Sequence, residues 1–425
     1  MRILILGLNF SPELTGIGQY TGQMAEFLSD QGHELHVVTT PPYYPQWRVD
    51  GDYRWWRYRQ EERSGIRITR CPLWVPRSPT GWKRVVHLSS FALSSLPAVL
   101  SQVKWKPDLV MAIAPAILSA PNAVLIAKMT GAKSWLHIQD FELEAGLQLG
   151  ILSTQRSLRR CLSVLEARLL GAFDVVSTIS HRMCDRLRDK GVSEKNIVFL
   201  PNWVDPDRLY PLDRKANALR RELGVGDDNV VVLYSGSMGR KQGIELLIGV
   251  AQALDSCGPE IVMVICGDGP GLSALKRVAR DHANIRFLGL QPEDRLNELL
   301  NLSDIHLLPQ RKEASDLVMP SKLLGMMASG RPSIIAAPGG SEMAAVATEA
   351  GLLVPPGDPQ AIADAILRLA GNPDERRKMG ETARSYVLQN RSRHTVLAQF
   401  EANLKELVAS SSPKGSSQET VPPQR

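Results

Sequence analysis

Four glycine-bearing junctions in this chain have the parts to hold an anion. In "LILGLNFSPELTGIGQY" an apolar run ends in a long loop carrying Gly16 and Gly18, and a helical pattern follows from about Gln19. "LYSGSMGRKQGIELL" repeats the plan with cations, setting Gly236, Gly239 and Gly243 around Arg240 and Lys241. "VMVICGDGPGLSALKRVA" ends a strand in Gly267 and Gly269, with Pro270 suited to the first turn of a helix. In "DLVMPSKLLGMMASGRPSIIA", Pro320, Ser321 and Lys322 open a helix that breaks at Gly330-Arg331-Pro332. Glycine lets a backbone approach a diphosphate, Arg and Lys neutralise it, and a helix start adds roughly half a positive charge. Taken singly, each junction also describes an ordinary surface turn. Their succession points to a nucleotide diphosphate.

The first loop is not a dinucleotide turn. The pattern G-x-G-x-x-G requires glycine where Thr21 stands, Gly22 comes one residue late, and "LHVVTTPPYYP" offers no acid to a ribose. Gly16 and Gly18 therefore either shape a turn or let phosphates approach. His137 and Asp140, in "WLHIQDFE", lie at the carboxyl end of a strand, where open α/β sheets carry chemistry. Either suits a catalytic role, accepting or orienting a hydroxyl proton, and His137 equally suits a hydrogen-bonded core position. Glu142 and Glu144 follow closely as substitutes on the acceptor side. No carboxylate pair announces a hydrolase or a covalent nucleophile, and no Asp/His clustering announces a metal, so no metal or cofactor is expected.

These junctions need strands and helices in alternation, and the chain supplies them. Short Val/Ile/Leu runs predict strands near Ile3–Leu6, Leu35–Thr39, Ile66–Arg70, Leu109–Ile113, Ser134–Ile138, Val175–Thr178 and Ile197–Leu200. A second set follows near Val230–Tyr234, Ile261–Cys266, Ile285–Phe287, Ile305–Leu308, Ser333–Ala336 and Gly351–Leu353. Between the sets, "PNWVDPDRLYPLDRKANAL" reads as a linker. The predicted fold class is α/β, with two Rossmann-like, doubly wound domains facing a cleft, at residues 1–205 and 206–392. Leu397, Phe400, Leu404 and Leu407 share one helical face, so 393–409 is expected to be a helix packing back on the body. Residues 410–425 have the composition of a disordered tail.

A chain of 425 residues exceeds one core, and its 44% hydrophobic and 22% charged content suit a soluble globular protein. Five cysteines without C-x-x-C spacing argue for a reducing compartment. With no signal segment and no uncharged apolar stretch of spanning length, the expected location is cytoplasmic. Much of the net charge of +6 lies between Arg54 and Lys106. It makes either a solvated basic face or a partner for an anionic membrane surface; nucleic acid is set aside because no recognition motif accompanies it. In "GWKRVVHLSSFALSSLPAVLSQVKWK", Val85, Leu88, Ala92, Leu96, Val99 and Val103 form one stripe, which Pro97 should kink. That stripe suits a core or, with Trp47, Trp55, Trp56 and Trp82 nearby, a membrane surface.

In order along the chain, "LNFSPELTGIGQYTGQMAEFLSDQGHELHVVTT", "HIQDFELEAG", "VVSTISHRM", "FLPNWVD", "LYSGSMGRKQGIE", "CGDGPG", "IRFLG", "SDIHLLPQ" and "PSKLLGMMASGRPSI" resemble glycosyltransferase family 4. These are the retaining group 1 glycosyltransferases with the GT-B fold, and the resemblance runs from about Met1 to Phe400. Within the family it is most similar to the colanic acid biosynthesis glycosyltransferases. The resemblance implies transfer of a sugar from a nucleotide-sugar donor, with a lean toward GDP-fucose. The implied acceptor is a saccharide in exopolysaccharide synthesis, and the membrane reading of the stripe above makes it lipid-linked, at the inner face of the plasma membrane. The implied donor-binding set is Gly16, Gly18, Gly236, Arg240, Lys241, Gly267, Gly269, Ser321 and Lys322.

The family pattern also fails in places. Its Glu-x7-Glu signature falls on Leu317 and Gly325, and Ser237 replaces an arginine. Glu313 and Asp316 are the nearby carboxylates. A nucleotide-sugar 2-epimerase and a non-catalytic nucleotide-sugar-binding protein stay open as alternatives.

Overall fold

The computed structural model describes residues 1–13, 16–77, 81–115, 117–141, 156–214, 217–236, 238, 243, 245–255, 260–269, 271–279, 282–309 and 321–410, without the side chains of 156–159. The chain divides into two compact units. Unit 1 comprises Met1–Ile179, Cys184–Leu200 and the chain from Leu397; unit 2 comprises Ser180–Met183 and Pro201–Val396.

Unit 1 is built on β1 (Arg2–Gly7), β2 (Glu34–Thr39), β3 (Arg59–Arg63), β4 (Ile66–Arg70), β5 (Leu109–Ala114), β6 (Lys133–Ile138), β7 (Val175–Thr178) and β8 (Ile197–Phe199). Their order is β3-β4-β2-β1-β5-β6-β7-β8, parallel except for β3 against β4. Unit 2 carries β9 (Val230–Ser235), β10 (Ile261–Cys266), β11 (Ile285–Leu288), β12 (Ile305–Leu308), β13 (Ser333–Ala336) and β14 (Leu352–Val354), in the order β11-β10-β9-β12-β13-β14. Central strands such as "LVMAIA" and "IVMVIC" are buried at every residue, as parallel strands covered on both faces require. In each sheet the chain runs outward one way from a central strand and then resumes on its other side, between β1 and β5 and between β9 and β12. Those reversals are the topological switch points where α/β sheets open a crevice at their carboxyl ends.

Every predicted strand is present to within one residue at either end. The strand that was not predicted is β3, "RQEER", in which no residue is buried. It has no apolar alternation to read, and it exists because Ser64 and Gly65, at φ 51° and 72°, make a tight hairpin turn into β4.

Two expectations change. The expected linker is pinned to unit 2. Val204 exchanges backbone hydrogen bonds with Arg391 and Arg393 (3.0 and 2.8 Å), and Arg384 donates to the carbonyls of Leu209 and Pro206 (2.6 and 3.2 Å). The helix Trp82–Leu100 buries His87, Leu88, Phe91, Ser95, Ala98 and Val99, whereas Val85, at one end of the predicted stripe, is exposed. Apolar residues occur on more than one face of this helix, so the stripe drawn from spacing was offset from the buried one. With its short extension to Lys104 it is long and apolar enough to cross a membrane, yet a third of its apolar window is packed inside the unit.

The terminal helix Arg393–Ala409 packs on unit 1 from Leu397 onward. Phe400 meets Trp135 edge to face with ring centroids 5.3 Å apart, Leu397 and Leu404 are fully buried, and Glu401 lies 2.9 Å from His33. Phe400→Ala removes the ring that fills the space against Trp135, so we expect a loss of about 3–5 kcal/mol. Differential scanning calorimetry should register it as a lower unfolding temperature.

Candidate functional site

The glycine turns of unit 2 converge at its switch point. Gly236 follows β9 and Gly267 follows β10, both at positive φ (143° and 148°) that other residues avoid. The two turns touch backbone to backbone: a Cβ on Gly267 would lie 2.0 Å from the carbonyl oxygen of Gly236. A Cβ on Gly269, at φ 151°, would lie 2.9–3.0 Å from the backbone of Met238. Hydrogen bonds from Gly236 to Cys266 (3.0 Å), Met238 to Asp268 (2.9 Å) and Gly271 to Met238 (3.2 Å) lace the turns together.

Across the switch point the chain beyond β12 returns as the helix Ser321–Ala328, which brings Lys322 to the same place. Its ammonium lies 5.0 Å from the ring centroid of Tyr234, and a Cβ on Gly236 would come within 3.2 Å of Lys322 Nζ. Glycine at 236 thus serves two needs, the backbone conformation and space for the lysine. Burial pushes the Lys322 ammonium down to about 8, and among the described residues it has no carboxylate partner. Ser321 is exposed at the start of the helix. Arg240, Lys241, Pro270, Glu313, Asp316, Leu317 and Pro320 lie outside the described residues. Gly325, where the family pattern has its second glutamate, is buried, with Leu209 and Leu300 side chains 3.4 Å from where its Cβ would be.

In unit 1, Gly16 begins the helix Gly16–Asp30 at φ 62°, and Gly18 lies on its buried face. The space at Gly18 is taken by Glu13: a Cβ there would lie 2.7 Å from Glu13 Oε2. Glu13, which sequence reasoning passed over, is only 6% exposed. Its carboxylate accepts from the Tyr43 and Tyr44 amides (3.0 Å each) and from Asn9 Nδ2 (2.8 Å), stapling the loop after β1 to the loop after β2. Burial raises its pKa, and the amide donors oppose the rise. Arg70, on β4, adds bonds to Ser11 O (2.6 Å) and Thr40 O (2.8 Å) and pairs with Glu61 at 2.7 Å. Beside this staple a cavity of about 710 Å3 is lined by Pro12, Glu13, Tyr43, Tyr44, Arg48 and Asp50, among others. The one signal in the sequence was a single acid in an otherwise uncharged loop, "NFSPELTGIG".

The two catalytic candidates separate. His137 is 1% exposed on β6, with Nδ1 2.9 Å from Ser177 Oγ and Nε2 3.0 Å from Gln139 Nε2. Burial drives its pKa down to about 3. With both ring nitrogens engaged inside the sheet, it is arranged as a packing histidine, not as a base presented to a solute. Asp140, three residues on, is exposed at the carboxyl end of β6. Glu142 and Glu144 lie outside the described residues. Among the described residues no group of three or more His, Cys, Asp or Glu is placed to hold a metal ion.

Comparisons with known proteins fit this geometry. Residues 15–203 match the glycosyl transferase 4-like domain, and residues 215–386 match the glycosyl transferases group 1 domain. The chain is 41% identical over 348 residues to the colanic acid biosynthesis glycosyl transferase WcaI of Escherichia coli K12, covering 81% of this chain and 85% of that one. It is 24% identical over 402 residues to the N-acetyl-alpha-D-glucosaminyl L-malate synthase of Bacillus anthracis, covering 94% and 96%. Among solved structures, the sucrose-phosphate synthase of Thermosynechococcus elongatus superposes with a TM-score of 0.73 at 21% identity, covering 96% of this chain and all of that one. The fold is GT-B.

Two outcomes follow from the buried groups. His137 and His306, the latter also held at about 3 by burial, stay neutral in the folded chain, whereas the unfolded chain protonates both below about 6.5. Stability should therefore fall as pH drops from about 6.5 toward 3, by about 1.4 kcal/mol per pH unit for each histidine. Urea titrations at pH 7 and 5 measure this, and His137→Gln should remove one histidine's share of the slope. Glu13→Ala leaves two amides and Asn9 without their acceptor, for a loss of about 3 kcal/mol. Glu13→Gln, which keeps an acceptor for the amides, should lose clearly less in the same titration.

Proposed function

This chain belongs to the group 1 glycosyltransferases and is a glycosyltransferase; on that premise we propose that unit 2 holds a nucleoside diphosphate sugar. The observation that carries the reading is Lys322, a half-buried ammonium set against the glycine-only turn at Gly236. In transfer, the bond between the anomeric carbon and the diphosphate oxygen breaks and its electron pair stays on the diphosphate. Lys322 stabilises the charge that grows there, with Arg240 and Lys241, which follow Gly236 in the sequence, as further cations. The acceptor hydroxyl oxygen forms the new bond on the face the diphosphate leaves, so configuration is retained. Its proton passes to Asp140 or to the departing diphosphate.

We assign the donor as GDP-linked, of the GDP-fucose type, and the acceptor as a lipid-linked saccharide of a colanic-acid-like exopolysaccharide. The name of the Escherichia coli relative supports the exopolysaccharide part of that assignment. The cavity beside Glu13, with Tyr44 as a ring to stack on and Arg48 and Asp50 as hydroxyl partners, suits the acceptor's sugar. Work at the cytoplasmic face of the plasma membrane, against its anionic surface, is consistent with the basic residues of unit 1. No metal enters this scheme. The buried Gly325 favours one second reading, a nucleotide-sugar-binding protein without turnover, because no carboxylate occupies that position.

Thermal-shift titration with GDP-, UDP- and ADP-sugars should give the largest shift with a GDP-sugar. Release of GDP should then require an acceptor; binding without release would establish the second reading, and sugar conversion without an acceptor would mark an epimerase. Lys322→Met should lower the transfer rate about 100-fold or more. Since the ammonium loses its proton near pH 8 and the diphosphate prefers it charged, donor binding should weaken above that pH with uptake of a proton. Calorimetry in buffers of different ionisation enthalpy measures that proton.

A further inference from the structure

The basic run and the tryptophans that sugar transfer leaves unused come together at one edge of unit 1. There β3 pairs antiparallel with β4 and sets Arg59 directly opposite Arg70. Like charges facing each other across a ladder are destabilising. One carboxylate serves both: Glu61 lies 2.7 Å from Arg70 Nε and 3.5 Å from Arg59 Nε. Arg59 also donates to the carbonyl of Asp52 (3.0 Å) and lies over the Tyr53 ring, 4.7 Å from its centroid. These contacts hold the Arg59 guanidinium at the wall of a cavity of about 400 Å3, with Arg70 buried and fully bonded behind it, and Arg54, Arg57 and Tyr58 complete the rim. Asp52 is the one acid among the lining residues. Among the described residues Arg54 and Arg57 have no ion-pair partner. An open cavity with this excess of guanidinium calls for an oxyanion, and arginine forks match phosphate.

The surroundings say where that phosphate comes from. Trp55 and Trp56, between the two unpaired arginines, are 53% and 56% exposed. Tyr58 donates its hydroxyl to the carbonyl of Ser94 (2.7 Å), which ties the rim to the helix Trp82–Leu100. That helix exposes Trp82, Val86, Leu93 and Leu100, spaced by four, seven and seven residues and so on one face. Lys83 and Arg84 follow Trp82 at its start. Exposed tryptophans and a leucine around an arginine pocket match the boundary of a bilayer, where rings settle at headgroup depth and guanidiniums pair with phosphates. We propose that this pocket binds the headgroup phosphate of an anionic phospholipid while Trp55, Trp56 and the outer face of the helix enter the layer beneath. The proposal rests on the glycosyl-transfer reading only for its purpose, the presentation of a lipid-linked acceptor, and its test needs no turnover.

The full chain is floated with vesicles of phosphatidylcholine alone and with vesicles of phosphatidylcholine and phosphatidylglycerol in equal parts. Association is expected with the second and not the first, with a blue shift of tryptophan fluorescence. Arg54→Ala/Arg57→Ala should weaken partitioning about thirtyfold, from two basic groups at an anionic surface. Arg54→Lys/Arg57→Lys keeps the charge but loses the forks, and should fall between this variant and the parent. Lys83→Ala/Arg84→Ala removes the same charge outside the pocket and should cost less. Trp55→Ala/Trp56→Ala should lower partitioning and the blue shift together. Equal losses from the two alanine pairs, no association with either vesicle, or a thermal shift with inorganic phosphate without vesicle association would overturn the assignment. Thermal shifts with GDP on each variant report folding and the donor site separately, so a failure here leaves the donor reading standing or falling on its own.

Discussion

The arrangement in unit 2 depends on a contact between two pieces of backbone. Where β9 and β10 end, Gly267 comes so close to the Gly236 backbone that no side chain fits at 267, the positive φ of 236 reserves that position for glycine, and hydrogen bonds on both sides close the seam. Because the turns carry no side chains there, the carboxyl end of β9 stays open, and Lys322 can reach in from across the switch point. A larger residue at 236 would displace the ammonium; a larger one at 267 would part the turns. The lowered pKa of Lys322 is the electrostatic consequence of that seat, a cation with little water around it. Such a group favours any ligand that brings negative charge to it, most of all one whose charge increases as a bond breaks.

Unit 1 solves the corresponding problem with charge instead of close backbone contact. The loop after β1 is held from two sides, by the buried carboxylate of Glu13 and by the fully buried guanidinium of Arg70. Both satisfy backbone groups that a loop would otherwise leave to water. Burying an ion is costly unless its hydrogen bonds are complete, and here they very nearly are. Gly18 is small because Glu13 occupies its space, so a glycine that reads as phosphate equipment in the sequence has a packing duty in the fold. The loop after β1 is accordingly a braced wall beside a cavity.

Much of this was legible beforehand, and what was not shares a cause. The buried parallel strands announced themselves, since strands covered on both faces must be continuous in Val, Ile and Leu. The glycines at 236, 267 and 269 were legible because positive φ and close approach leave few other choices. The charged strand β3, the pinned segment after Leu200 and the second apolar face of Trp82–Leu100 were not. Each owes its state to residues outside itself: the hairpin partner Ile66–Arg70 for the strand, Arg384 and Arg391 for the segment, Tyr58 and the sheet for the helix. His137 shows the same limit in one residue. Its position at a strand end suggests chemistry, and only the neighbouring strand, through Ser177, gives it a packing role.

Local composition alone therefore determined the alternation of strand and helix, the two-sheet class and the glycine turns, because these answer to backbone sterics and to the period of apolar residues. Tertiary structure alone decided which charges are buried, which are paired and which stay open. Desolvation and hydrogen bonding depend on what surrounds a side chain in space, and the order of residues along the chain does not record that. Glu13, Arg70 and Lys322 are all ordinary ions in the sequence. The fold makes the first two into ties and strips water from the third.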